Sequence, residues 1–422
     1  VSITYWTGWT GDELRIQERL VQRFNETHPT IHVRIVTLAG VYQKVRIAFA
    51  GEDTPDLLSC CWAQEMAGYA VRGVLTPLDA FIARDRPALK EEYFPGLWRS
   101  FQFEGQTMAL AVTTNASFFY YNRDIFREVG LDPDWHPKTT DELLETIEKC
   151  TIRDPRGNYV RYGYRPSNLE WWAYIFGGEW YDAKTHTVLA DHPRNVEALR
   201  FLQDFARKHD IRKMQTFESS MGGFLSTQNP LFVGKAAMTT AGEWFQEHLE
   251  DYAPNLNYGY FAAPAPAGGR ERCVTFGGSF FVIPAASKHK HEAWQFLNWL
   301  TQPEQVKEFC LGIGNLPPLK SVMEEPEFRD NPVFRFAGDL MAGENVFGPP
   351  GMPVWTRYVE EINPSEERCV FHNVDPLEDQ LVVGDRTFAI DYKNHVRPGA
   401  EVPAERLDLQ SYIEVIESRI GK

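Results

Sequence analysis

Long apolar runs, metal-binding cysteine patterns and basic stretches are all missing from this sequence. No run of about 18 apolar residues occurs, so no membrane-spanning helix is predicted. The 6 cysteines have neither C-x-x-C spacing nor a Cys/His metal pattern, and no disulfide pairing follows from them. The net charge is −15, and no Lys/Arg-rich stretch offsets it locally, which argues against nucleic acid or an anionic membrane as a partner.

Signatures of enzymes and cofactor sites are equally scarce. The chain contains no G-x-S-x-G, P-loop or H-E-x-x-H motif, and Gly312-Ile313-Gly314 lacks the third glycine of a dinucleotide-binding fingerprint. The 11 histidines are scattered along the chain. We therefore expect neither a bound metal nor an organic cofactor.

Tryptophan, by contrast, is abundant, with 12 residues in a chain that is 14% aromatic. Trp62 follows the apolar pair Leu57-Leu58 where a strand should end, and Glu65 comes three positions later. Trp244 likewise ends a strand-like run and directly follows Glu243. In open α/β sheets, ligands bind at the carboxyl ends of strands. An indole face beside a carboxylate suits a neutral, hydroxyl-rich ligand, so the sequence predicts a sugar-binding site.

Strands and helices alternate in the first third of the chain. Predicted strands at 2–6, 31–36 and 56–59 are separated by helical patterns that begin at Asp12 and Tyr42. Repeated β-α-β units of this kind indicate a parallel sheet with right-handed crossovers. A chain of 422 residues is too long for one ordinary core and suits two domains.

Two places break this alternation and predict crossings from one sheet to another. Extended segments 108–112 and 118–122 follow each other without a helix, and a second crossing is predicted at 274–283. We therefore predict an α/β fold of two lobes, each a mainly parallel sheet flanked by helices. The predicted boundaries are 1–113 and 277–322 for lobe I, and 114–276 and 323–422 for lobe II, with a hairpin at 381–391 and a closing helix at 407–420.

Several short motifs share their order and spacing with one protein family. In chain order they are 62–65 with 67–70, 120–126 before 137–139, 177–179, 234–238 leading to 242–244, and 292–297 closing at 316–318. On these motifs the chain resembles the extracellular solute-binding proteins of bacterial ABC sugar importers, the family of maltose-binding protein. The C-terminal part of the chain matches this family poorly.

This resemblance implies a periplasmic-binding-protein-like fold, with two lobes joined by a hinge and a sugar held in the cleft between them. In maltose-binding members, the position matching Trp62 lies in the cleft beside an acid that matches Glu65, and the position matching Trp244 stacks on a sugar ring. Glu243 stands where the relative has proline and would add an acceptor. The implied partner is a membrane ABC permease, and the implied location is extracytoplasmic, either periplasmic or lipid-anchored at the outer face of the cell membrane. We expect a monomer.

Eleven residues are predicted to contact the ligand, through stacking indoles, hydrogen-bonding acids and an amide, or a flexible Gly-Ser crossing segment. They are Trp9, Trp62, Glu65, Asn115, Trp172, Glu179, Glu243, Trp244, Gly278, Ser279 and Trp355. Of the neighbours Trp171 and Trp172, one is expected to pack while the other faces the ligand. Trp355 follows a proline-rich loop, which could lean over the cleft or lie on the surface.

Two other function classes fit the same residues less well. A carbohydrate-active enzyme could use Glu65 and Glu243 as general acid and as nucleophile or base. Glycosidase barrels, however, need about eight similar βα units, and this chain breaks the pattern at residue 114. A binder of polyamines or peptides would use the same two lobes, and polyamines suit an acidic cleft, but the indoles fit sugars better.

Overall fold

The computed structural model describes residues 1–38, 40–51, 54–185 and 187–376. The elements up to residue 117 are β1 (Ser2–Thr7), α1 (Gly11–Thr27), β2 (His32–Thr37), α2 (Val41–Gly51), β3 (Leu57–Trp62), α3 (Ala63–Val71), α4 (Asp79–Asp85), α5 (Leu89–Glu92), α6 (Pro95–Ser100), β4 (Gln102–Phe103) and β5 (Gln106–Thr107).

The next elements, up to residue 261, are β6 (Phe118–Asn122), α7 (Arg123–Glu128), α8 (Thr140–Cys150), β7 (Ile152–Arg153), β8 (Tyr159–Arg161), α9 (Leu169–Phe176), β9 (Tyr181–Asp182), β10 (Thr187–Val188), α10 (Pro193–His209), α11 (Ile211–Ser219), β11 (Met238–Ala241), α12 (Phe245–Tyr252) and β12 (Tyr258–Phe261). From residue 274 onward they are β13 (Val274–Thr275), β14 (Ser279–Val282), α13 (Lys290–Leu300), α14 (Pro303–Ile313), α15 (Lys320–Met323), α16 (Pro326–Arg329), α17 (Pro332–Met341), β15 (Val346–Phe347) and α18 (Trp355–His372).

The chain divides into two compact units. Unit 1 consists of Val1–Ser117, Gly242–Trp244 and Thr275–Trp355. Unit 2 consists of Phe118–Ala241, Phe245–Val274 and the segment that begins at Thr356. The chain therefore leaves unit 1 after residue 117, returns to it at residues 242–244 and enters it again at residue 275. The changes at 117 and 275 lie at the two stretches where crossings were predicted, whereas the return at 242–244 was not predicted.

The sheet of unit 1 has the strand order β14-β3-β1-β2. β1 pairs in parallel with both β2 and β3, whereas β14 runs antiparallel to β3. Ile3 and Tyr5 alternate with half-buried neighbours along β1, and α1 buries Leu20 and Phe24. The hydroxyl of Tyr5 donates to Gln17 of α1, which ties helix to sheet. The predicted alternation of parallel strands and covering helices is confirmed here.

The sheet of unit 2 differs in one respect from the predicted one. It has the order β11-β6-β12, and β6 runs antiparallel to both neighbours. The α/β class holds, but a mainly parallel sheet in this unit was wrong. The physical reason is that β6 enters directly from an extended segment, so no βαβ crossover fixes its direction. All five residues of β6 are buried, because the strand lies in the middle of the sheet.

The observed units also differ from the predicted boundaries. Residues 323–355, predicted for lobe II, belong to unit 1, as do 114–117 and 242–244. The reason lies in packing that sequence does not show: α15, α16 and α17 follow α14 as one helical layer, and Val346 fills the space beside Gly96 so closely that no side chain could stand there. The predicted hairpin at 381–391 and helix at 407–420 lie outside the described residues.

Neither a membrane-spanning helix nor a metal-binding cluster is found among the described residues. None of the described helices combines the length and the apolar character that crossing a membrane requires. Within the same ranges, no group of three or more His, Cys, Asp and Glu side chains is arranged to hold a metal ion.

The start of α8 offers a test of local stability. The Thr139 hydroxyl accepts from the Glu142 N–H at 3.2 Å, and the Glu142 carboxylate accepts from the Thr139 N–H at 3.3 Å, forming a capping box. Thr139→Ala should lower the free energy of unfolding by about 1 kcal/mol, since one helical N–H loses its acceptor. Chemical denaturation would measure the change. Thr216→Ala on the exposed face of α11 is the control and should stay within about 0.5 kcal/mol of the parent. Equal effects of both substitutions would contradict the assignment.

Candidate functional site

The ends of β3 and β14 bring three of the predicted residues together in unit 1. Ser279 pairs in register with Trp62, and the Ala63 N–H donates to the Gly278 carbonyl at 3.3 Å. Gly278 has φ of +146°, in the region that favours glycine, so the close backbone turn depends on this residue. Trp62 is only partly buried, whereas Ser279 is 2% exposed. Trp62 therefore keeps some accessible surface beside the enclosed Ser279.

Asn115 belongs to the same neighbourhood. Its side-chain oxygen accepts from the Gly277 N–H at 2.9 Å, and the Asn115 side chain is half-buried. Because Gly277 precedes Gly278, this bond places the amide of Asn115 next to the turn that pairs with Trp62. Four predicted residues thus lie together, and we call them with Trp244 the unit 1 strand-end group: Trp62, Asn115, Gly278, Ser279 and Trp244.

Trp244 joins this group through its neighbour Glu243. The carboxylate of Glu243 accepts from the Ala116 N–H at 2.9 Å and from the Leu316 N–H at 3.0 Å. Ala116 directly follows Asn115, so the bond holds residues 242–244 beside the strand-end group. Trp244 is partly exposed, and its indole packs so closely on Gly242 that any larger residue there would collide with it.

The Glu243 carboxylate is not accessible to a ligand. The residue is 1% exposed, and both carboxylate oxygens are occupied by backbone N–H groups. Burial raises the pKa of Glu243 to about 7, although the backbone hydrogen bonds act in the opposite direction. The prediction that Glu243 binds ligand is corrected: it connects three segments of unit 1.

Glu65 lies in the first turn of α3, just after Trp62. It is 8% exposed, and Arg46 of α2 approaches its Oε1 to 3.6 Å. Burial raises the pKa of Glu65 to about 7, whereas the charge of Arg46 acts to lower it. Tyr69, one turn further along α3, also has a raised pKa because of burial and the nearby Glu65. Glu65 is thus a buried acid beside the strand-end group.

Three predicted aromatic contacts are buried and are corrected. Trp9 is 8% exposed and stacks on Phe309 with centroids 4.8 Å apart. Trp172 is 0% exposed and packs on Phe201 at 4.8 Å, and Trp355 is 1% exposed. Trp171 is buried as well, so neither member of that pair faces solvent. Apolar partners distant in sequence account for the burial.

Glu179 forms an ion pair with Arg270 in unit 2. Its carboxylate accepts from Arg270 at 3.0 Å, and the same guanidinium donates to the carbonyls of Gly178 and Tyr174 at 2.7 and 3.1 Å. Arg270 therefore satisfies carbonyls at the end of α9, where a cation is favourable. Glu179 is exposed and holds that arginine, which is a structural role, and its contact with a ligand stays a prediction.

A cavity in unit 2 was missed by the sequence analysis. It has a volume of about 320 Å³ and a largely polar lining, and we call it the unit 2 cavity. Its lining residues are Tyr162, Tyr164, Arg165, Ser167, Glu218, Phe224, Asn229, Pro230, Leu231, Ala236, Met238, Thr239 and Thr240. One signal could have found it: Thr239 and Thr240 lie on the strand that leads to Trp244, so the strand-end argument applied to them too.

Comparison with known proteins identifies the family. Residues 10–307 match the bacterial extracellular solute-binding proteins. The chain belongs to this family. A maltotriose-binding protein of Pyrococcus abyssi is 26% identical over 342 residues, which cover 78% of this chain and 69% of the relative. An sn-glycerol-3-phosphate-binding periplasmic protein of Shigella flexneri is 22% identical over 344 residues, which cover 76% of this chain and 75% of the relative.

Solved structures of sugar-binding proteins share the fold of this chain. CpMnBP1 with mannotriose bound has a TM-score of 0.79 at 23% identity and covers 91% of this chain and 98% of its own. The sugar-binding protein MalE from Xanthomonas citri has a TM-score of 0.75 at 21% identity and covers 93% of this chain and 99% of its own. The predicted family, its α/β fold and its extracytoplasmic class are confirmed.

The role of Glu243 can be tested by removing one acceptor. Glu243→Gln should destabilise this solute-binding protein by about 1 to 3 kcal/mol, because one backbone N–H would then face an amide donor. Denaturation curves would measure the loss. Glu250→Gln on exposed α12 is the matched control and should change little. A variant with unchanged stability and lost ligand affinity would instead support a direct ligand contact.

The raised pKa of Glu65 predicts a dependence of stability on pH. A carboxyl that binds its proton more tightly in the folded than in the unfolded chain loses its stabilising contribution as pH rises through the folded pKa. Between about pH 4.5 and 7, the wild type should therefore lose about 1 to 3 kcal/mol relative to Glu65→Gln. Denaturation of both proteins at several pH values would measure this difference. A difference that stays constant across this range would contradict the prediction.

Proposed function

We propose that this solute-binding protein binds a neutral carbohydrate without transforming it and delivers it to a membrane ABC permease, acting as a monomer. One observation carries the proposal: the unit 1 strand-end group joins two partly exposed indoles to an amide and to closely spaced backbone groups. Indole faces cover the C–H surface of a sugar, and the amide of Asn115 can exchange hydrogen bonds with its hydroxyls. The maltotriose-binding relative is consistent with this chemistry.

The energetics of two indoles suit such a ligand. An indole buries roughly 150–250 Å², which at about 25 cal/mol per Å² amounts to a few kcal/mol as an upper bound. Micromolar affinity requires about 8 kcal/mol net. Stacking on Trp62 and Trp244 with several hydrogen bonds can reach that figure after the cost of ordering the ligand.

The alternative of a carbohydrate-active enzyme has less support. It requires two carboxyl groups that are free to exchange protons with a substrate or attack it. Glu243 is 1% exposed and uses both oxygens for backbone N–H groups, so it is poorly placed for either role. Binding of polyamines or peptides is a further alternative, and it has no comparable observation behind it.

Calorimetric titration against maltose, maltotriose, mannotriose, spermidine and sn-glycerol 3-phosphate tests the function. We expect saturable heat with at least one neutral sugar, and no new reducing ends after prolonged incubation. Trp62→Ala should weaken that binding by about tenfold to a hundredfold, because an apolar face of the ligand would remain in water.

The matched control is Trp299→Ala. Trp299 is also half-buried in unit 1, but it packs against Phe24 of α1, with centroids 5.4 Å apart. Its removal should leave ligand affinity unchanged. Heat only with spermidine or glycerol phosphate, or release of reducing ends, would refute the proposed function.

A further inference from the structure

We propose that the unit 2 cavity binds the hydroxyls of one uncharged sugar residue, and that Glu218 makes it reject phosphorylated solutes. The inference rests on the proposed function and deepens it, because it names the charge class of ligand that the protein selects. It depends on Arg165 and Glu218, which are not among the residues predicted to contact the ligand.

The cavity is built on a fixed backbone. The Ala237 N–H donates to the Tyr162 carbonyl at 3.0 Å, and the Met238 N–H donates to the Gly163 carbonyl at 2.8 Å. These bonds attach the segment after β8 to the edge of β11, so Tyr162, Tyr164 and Arg165 are presented from one edge of the unit 2 sheet. A site built on sheet backbone holds its side chains in a defined geometry.

An ion pair lies in the wall of the cavity. Arg165 Nε donates to Glu218 Oε2 at 2.7 Å, and both side chains remain partly accessible, at 29% and 21%. The bond uses Nε, and the guanidinium carries further N–H donors on its terminal nitrogens. Burial and the charge of the nearby Glu218 carboxylate raise the pKa of Tyr162. Tyr162 therefore stays neutral beside the carboxylate.

This arrangement suits a sugar hydroxyl, which donates and accepts at once. The guanidinium can donate to one hydroxyl while the carboxylate accepts from its neighbour, as charge-assisted hydrogen bonds. Thr240 adds a hydroxyl to the lining, whereas the side chain of Asn229 is bonded to the backbone of Phe224 and Leu231 and supports the wall. Phe224 is 40% exposed and stacks on Phe245 at 5.1 Å, so it offers a supported apolar face to the C–H side of a ring.

The Arg165–Glu218 ion pair disfavours the binding of a phosphate group. A phosphate monoester carries about −1.5 to −2 charges at neutral pH and would lie against the Glu218 carboxylate. Arg165 alone would be a strong phosphate ligand, but its charge is already compensated by Glu218. The Glu366 carboxylate, which is also near the charge of Arg165, is occupied at the start of α9, where it accepts from the N–H groups of Asn168 and Leu169 at 3.1 and 2.7 Å. Glu218 is thus the residue that sets the charge preference.

Glu218→Gln tests this inference by calorimetry, with maltose, maltotriose and mannotriose as neutral probes and maltose 6′-phosphate and sn-glycerol 3-phosphate as anionic probes. The wild type should bind a neutral probe and neither phosphate. The variant should bind that neutral probe at least tenfold more weakly. Its affinity for a phosphate probe should rise at least tenfold, because the charge of Arg165 is then uncompensated. The gain should shrink as salt is raised.

Two further variants make the result decisive. Glu128→Gln is the matched control, since Glu128 also pairs with an arginine of unit 2, Arg161, at 2.7 Å, and it should change neither affinity. The double variant Arg165→Gln/Glu218→Gln should lose neutral-sugar affinity without gaining phosphate binding. Because it removes both partners of the ion pair, it remains a usable test if Glu218→Gln alone does not fold by circular dichroism.

The possible failures can be told apart. If the wild type binds a neutral sugar while Glu218→Gln and the double variant keep wild-type affinities, the inference is overturned and the proposed function stands. If the wild type binds no neutral sugar, the proposed function fails with it. A wild type that binds phosphate as well as sugar would also overturn the charge filter.

Discussion

The bonds from the Glu243 carboxylate to the backbone N–H groups of Ala116 and Leu316 are the constraint on which the functional part of unit 1 depends. They join three segments that are far apart in sequence, and they do so in an interior where the carboxylate is almost fully buried. A buried acid is costly unless its oxygens are hydrogen-bonded, so the segments can separate only if these bonds are lost. Trp244 and Asn115 are positioned as a consequence.

The residues that fix the path of the chain differ from those that we propose for recognition. Glu243 in unit 1 and Glu179 with Arg270 in unit 2 bind backbone groups and fix the path of the chain. Trp62 and Trp244, which we propose to contact the ligand, keep some accessible surface. The more deeply buried acid serves the fold, and the proposed recognition uses the less buried aromatic residues.

Sequence reasoning located the strand ends well but judged individual side chains less well. Trp62 and Ser279 were predicted from a strand pattern and do lie opposite each other in register. Trp9 and Trp172 were predicted to contact the ligand, yet each packs on a phenylalanine more than twenty positions away. Burial of an indole depends on such distant partners, which a local pattern does not contain. The unit 2 cavity was missed for the same reason, since Arg165 and Glu218 meet across 53 positions.

The sequence by itself determined the α/β class and the family, because these follow from local periodicity and from the order of short motifs. Only the tertiary structure decided the antiparallel direction of β6, the membership of residues 323–355 in unit 1 and the structural role of Glu243. Strand direction, unit membership and the partners of a buried acid are set by contacts between residues distant in sequence, and those contacts exist only in the folded chain.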